Sequence, residues 1–342
     1  MMEAKTLKTY FFILGILLIT FFIINLCLGS IAISVTDIIK ILLGRFEDGS
    51  YNYIVLDYRL PKALTAVIVG SGLGISGLLM QTLFRNPLAG PFVLGISSGA
   101  SLGVALLIMG GGLLGGFMAS LLSTNIAIVI AASLGSFLVL VAVLIVSAKI
   151  QDTMAILIIG LMFGSITAAV VGVLAYFSSA ENLQRYIFWG FGSLGNLSWS
   201  SLGILLICYL IGLIICIFSL KSLNSFLLGE SYAKSLGTDI KRSRYLIIIS
   251  TSLLAGTITA FAGPIAFIGL AIPHLTRQVF RTSNHIILLP AVFLFGAIIM
   301  LICDSIAQLP FSDYTLPINA VTSIVGAPVV IWLLVRKRKM IF

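Results

Sequence analysis

Chemistry on a substrate needs nucleophiles, proton carriers or metal ligands held within reach of one another, and this chain is poor in all of them. Its 342 residues include two histidines, four cysteines and eleven carboxylates. His274 and His285 lack HExxH spacing, no carboxylate pair of catalytic type stands out, and G-x-x-x-x-G-K-[ST] is absent. These features argue against an enzyme and against ATP binding by the chain itself, and they call for no metal or cofactor. Cys27, Cys208, Cys216 and Cys303 all lie inside apolar runs and read as buried thiols. His274 follows Pro273, where a histidine commonly satisfies carbonyls freed by a kink; a proton relay or a ligand is the alternative.

Charge is more informative than chemistry. Lys221 to Arg244, KSLNSFLLGESYAKSLGTDIKRSR, is the one long polar interruption between apolar runs. Within it Gly229–Leu236 predicts about two helical turns, roughly 12 Å long. Tyr232 and Leu236 would share one face at i,i+4, and Gly237 stands where a glycine C-cap is expected. A short helix with such an apolar edge suits a groove on a soluble partner, but taken alone the stretch reads first as a plain connecting loop.

Membrane spans carry these residues. Hydrophobic residues make up 60% of the chain and charged ones 9%, more apolar surface than a soluble fold can hide. Apolar segments run over 10–28, 63–80, 92–109, 126–148, 154–177, 202–219, 245–272, 286–303 and 316–335. Gly263-Pro264 divides the seventh, which would otherwise be about 42 Å long, so the expectation is an all-α polytopic membrane protein with ten transmembrane helices in a single domain, 1–342. The first run is too long for a signal peptide and reads as an uncleaved span. Lys5 and Lys8 at one end and Arg336, Lys337, Arg338 and Lys339 at the other place both termini in the cytosol. Every other Lys and Arg then falls inside except Lys40, Arg45, Arg59, Lys62 and Arg185, so the net charge of +9 reports topology and not nucleic-acid binding.

Two proline-bearing stretches, Gln81–Gly95 with Pro87 and Pro91 and Phe267–Arg277 with Pro273, are expected to form corners in the two halves. Runs of small residues at 70–77 and 95–103 allow close helix packing. Asp304, near the outer end of its span, reads as a structural hydrogen-bond acceptor.

Three separated motifs give a resemblance. RLPKALTAVIVGSGLGISGLLMQTLFRNPLAGPFVLGISSGASLG (59–103), GESYAKSLG (229–237), and FAGPIAFIGLAIPHLTR with Asp304 and GAPVVIWLL (261–334) resemble the permease family of type II ABC importers for iron chelates, haem and vitamin B12. The resemblance covers nearly the whole chain in order. It implies a permease fold of ten spans, a homodimer around a central pathway in the bacterial inner membrane, two cytosolic ATPase subunits and an extracytoplasmic binding protein. Gly229, Glu230, Ala233, Leu236 and Gly237 would seat in the ATPase, and Arg59 and Lys62 would dock the binding protein; a local pair with Asp57 or a lipid phosphate is the alternative for these cations. Asn86 and Leu88 match the family's cytosolic gate, with Thr153 after Asp152 matching more loosely. Gln308 stands where the family often has an arginine. The expected cargo is a ferric siderophore or haem, with vitamin B12 as the alternative; an ion-coupled secondary transporter is the reading from another class.

Overall fold

A computed structural model of the protein describes residues 4–45, 49–110, 124–150, 152–195, 197–310, 312 and 314–335. The expected basic C-terminal cluster, Arg336 to Lys339, lies outside them. Every regular element among the described residues is helical. The chain opens with α1 (Ala4–Cys27), α2 (Val35–Leu42) and α3 (Gly49–Tyr53). A π-helical turn, Ile54–Arg59, then leads into α4 (Leu60–Leu83). A 3-10 turn over Pro91–Leu94 precedes α5 (Ile96–Ile108), and α6 (Asn125–Lys149), α7 (Thr153–Phe177), α8 (Ala180–Gly190) and α9 (Trp199–Phe218) follow. Two short helices, α10 (Leu220–Phe226) and α11 (Glu230–Ser235), come before α12 (Ile240–Ala262), α13 (Ile268–Phe280), α14 (His285–Ala307) and α15 (Ile318–Val335).

Polar side chains mark where helices begin. Ser34, Thr124, Asp152, Ser179, Asp239 and Asn284 each accept a backbone N–H of the first turn of α2, α6, α7, α8, α12 and α14. Gly263, at φ +77°, ends α12 where the sequence predicts the break.

Helices occupy all ten expected span positions. Seven are long and apolar enough to cross a membrane by themselves; α5, α13 and α15 are shorter or less apolar. The expected segment 92–109 begins one 3-10 turn later as helix, because Pro91 at the head of that turn and the left-handed Gly95 after it interrupt α geometry. The corner expected at Phe267–Arg277 is overturned: Pro273 sits inside α13, which runs on through it at the cost of one i→i−4 bond, a loss that membrane helices tolerate.

The contacts group into two compact units. The first comprises 1–75, 193–207 and 265–342. Within it α1 packs along α14, with Leu14, Phe280, Ala291 and Ile298 buried and Tyr10 and Phe11 against the Phe280 ring. Gly70 of α4 and Gly296 of α14 cross so closely that a Cβ on either would run into the carbonyl of the other. The second unit comprises 76–192 and 208–264. There α5 and α6 cross at Gly99, Gly103, Ala131 and Gly135, over a core of small side chains including Ala100, Val104, Ala105 and Ala132. Lipid is as apolar as leucine, so van der Waals contact between close backbones, not the exclusion of water, holds such crossings together.

Candidate functional site

The polar stretch at 221–244 folds in the second unit as two short helices leading into α12. Gly229 turns the chain with φ +103°, a conformation open to glycine, and Glu230 then opens α11, its carboxylate placed where the helix dipole favours negative charge. Six residues on, the helix closes in a Schellman motif: Gly237, at φ +80°, donates to the Lys234 carbonyl at 3.0 Å, and Thr238 donates to Ala233 at 3.0 Å. The glycine C-cap is therefore as expected, and α11 is two residues shorter than the predicted span. Ala233 is fully buried, whereas Tyr232 and Leu236 are 53% and 59% exposed. Leu228 is exposed as well and stands four residues before Tyr232, so the segment presents an apolar edge while resting on a small buried side chain.

This segment is braced from beneath. Arg244, on the second turn of α12, donates from Nη2 to Glu230 Oε1 at 3.1 Å and from Nη1 to the Ile150 carbonyl at 3.2 Å. Ser243 donates to Ser222 of α10 at 2.8 Å. Lys241 and Arg242 point to the outside, but Arg244 is only 5% exposed. Sequence reasoning singled out Glu230 and missed Arg244. The only signal available was its place as the last basic residue before an apolar run.

The predicted gate residues Asn86 and Leu88 lie at the end of α4. Arg85 there is left-handed, φ +47°, and the chain closes with Arg85 donating to Thr82 and Asn86 to Gln81. Asn86 Oδ1 accepts the Leu88 N–H at 2.9 Å, making an Asx turn around Pro87 that leaves Leu88 exposed. Thr153 is the first residue of α7, capped by Asp152 through Met154 N at 3.0 Å; the Thr153 side chain lies outside the described residues. The Arg85 guanidinium lies near Gly229, the residue before α11: a Cβ on that glycine would be 3.6 Å from its Nη1.

In the first unit a second polar cluster surrounds Asp304. Lys62 Nζ pairs with its Oδ1 at 3.2 Å, and the amides of Asn25 and Gln308 each donate to Oδ2 at 2.9 Å. The carboxylate thus holds the ends of α1, α4 and α14 together, a structural role as the sequence suggests. Arg59, expected to face a partner, is 6% exposed. It donates to the carbonyls of Leu26 at 2.8 Å, Cys27 at 3.0 Å and Ile31, satisfying groups that the C-terminus of α1 leaves without helical partners. Pairing of Lys62 with Asp57 is replaced by pairing with Asp304. Both cations line a cavity of about 250 Å³ together with Asn25, Tyr58, Gln308 and Thr315.

No cluster of three His, Cys, Asp or Glu residues able to hold a metal occurs among the described residues. Gly95-Ile-Ser-Ser-Gly99 matches the spelling G-x-S-x-G of a nucleophile elbow, but it opens α5 after a 3-10 turn, and the Ser97 hydroxyl lies 3.4 Å from the hydroxyl of Thr259.

Comparison with known proteins places this geometry. Residues 17–336 match the FecCD transport family. The chain is 34% identical over 338 residues to the vitamin B12 import system permease protein BtuC of Klebsiella pneumoniae, covering 98% of this chain and 96% of the relative. It is also 34% identical over 331 residues to the hemin transport system permease protein HmuU of Yersinia pestis, covering 95% and 96%. A solved structure described as an inward-facing, metal-chelate type ABC transporter superposes with a TM-score of 0.84 at 31% identity, covering 97% of this chain and all of the other.

Proposed function

The chain belongs to the FecCD transport family and is a membrane permease subunit of an ABC importer, and on that premise we propose that it passes a metal chelate inward through a homodimeric pathway. The observation that carries the reading is α11: a helix resting on buried Ala233, offering Tyr232 and Leu236 outward and braced at Glu230. Two cytosolic ATPase subunits receive Gly229, Glu230, Ala233, Leu236 and Gly237, and their closure on ATP moves Asn86, Leu88 and Thr153 at the inner gate. Both termini face the cytosol of a cell whose inner membrane holds the complex. An extracytoplasmic binding protein docks at the outer end near Arg59 and Lys62. Since both cations are recessed in the cavity, an acidic side chain of that protein must reach into it to meet them.

Cargo is proposed as a class. Relatives named for vitamin B12 and for haemin are equally similar, so vitamin B12 stands level with the iron chelates. The test is uptake into vesicles holding the complete complex, with external binding protein and ATP supplied on the ATPase side, using cyanocobalamin, haemin and a ferric siderophore in turn. ATP-dependent accumulation of one of them is the expected result. Accumulation against a gradient by permease alone, or of none of the three by the complete complex, overturns the reading.

A further inference from the structure

We propose that Arg244 is a positioning residue that carries movement of α11 to the connection between α6 and α7. The proposal rests on the coupling role given to α11 above and assigns the route by which that coupling leaves the helix. One planar guanidinium holds two acceptors on separate elements: Glu230 Oε1 on α11 at 3.1 Å and the carbonyl of Ile150, the C-cap of α6, at 3.2 Å. A rigid fork of this kind fixes the spacing of its acceptors, so α11 cannot shift without dragging the Ile150 carbonyl or breaking a bond. The base of the fork is itself fixed. Asp239 caps α12 one turn earlier, and the neighbouring Ser243 is tied to Ser222 of α10. Ile150 lies two residues before Asp152, which caps α7 in front of the proposed gate residue Thr153.

A second contact supports the same route from the other side. Arg85, from the corner that carries Asn86 and Leu88, lies against Gly229 at the start of α11. It does so from a left-handed backbone that residues with a side chain seldom adopt, and its place in that motif is one where glycine is the usual occupant. An arginine in a strained cap, with its guanidinium near the start of α11, points to a use for the side chain. The Asn86–Leu88 stretch thus brings an arginine beside the N-cap of α11, and the stretch before Thr153 is joined to the same helix through Arg244 of α12.

Arg244→Lys separates this role from simple support. An ammonium can pair with Glu230 but lacks the fork that grips a second acceptor at fixed spacing. Amide hydrogen exchange is followed in the permease assembled with its ATPase subunits, with and without MgATP and vanadate. In the unaltered complex, nucleotide is expected to change exchange both at 230–237 and at 149–154. In Arg244→Lys the response at 230–237 is expected to persist while that at 149–154 is mostly lost. Arg85→Gly, whose backbone a glycine adopts freely, is expected to lose the response at 84–90 alone. A full response at 149–154 in Arg244→Lys overturns the proposal. If 230–237 ignores nucleotide in the unaltered complex, the coupling role of α11 is what fails, and the proposal falls with it.

Discussion

Lys62 and Asp304 form an ion pair whose lysine side chain is only 11% exposed, and the carboxylate accepts two amide donors besides. Asp304→Ala leaves that ammonium without its counter-charge and takes one acceptor from each amide, which for a buried pair costs about 3 kcal/mol. Replacing both partners together, Asp304→Leu with Lys62→Met, removes the charge along with its counter-charge and is expected to recover most of the loss. A thiol-reactive dye measures this, since Cys216 and Cys303 are buried and react only as the protein opens. Equal midpoints for the single and double variants would show that the unpaired ammonium is not what destabilises Asp304→Ala. None of this partnership is visible in the order of residues. Asp304 and Asn25 are 279 positions apart, and Arg59 is drawn inward by backbone carbonyls, which every residue possesses and no motif marks.

Where helices lie was largely legible, because a lipid core demands long apolar runs and glycine or proline at their ends. The break at Gly263, the bend at Pro87 and the left-handed Gly237 follow directly from what those residues allow. Pro273 misled because a proline inside a membrane helix removes one backbone bond without ending the helix, and the sequence cannot show whether neighbours take up the freed carbonyl. Hydropathy also gives no hint of which faces meet. The α5–α6 crossing depends on Gly99, Gly103, Ala131 and Gly135, yet Gly172 in α7 belongs to a similar apolar run and has open space around it. Gly135→Val is accordingly expected to destabilise the permease by about 2 kcal/mol or more and to reduce its yield as a monodisperse species on size exclusion. Gly172→Val should match the parent in the same measurement.

Taken whole, the molecule uses two kinds of contact with different physical origins. Close crossings such as Gly70 on Gly296 sit in a medium without water, whereas the edge of Leu228, Tyr232 and Leu236 on α11 is exposed and proposed to meet a soluble ATPase. Burial of that edge draws on the release of hydrating water, a driving force that fades on cooling; contact between backbones in lipid does not share that dependence. Chilling purified complex is therefore expected to shed the ATPase while leaving the permease folded, read as a shift in elution with no rise in dye-reactive thiol. An ATPase that stays bound in the cold while the permease itself comes apart would reverse this ranking. If the ATPase docks there as proposed, the exposed edge of one short helix makes assembly a thermometer: a bacterium growing in the cold would need extra polar or charged grip on its motor to keep this importer joined.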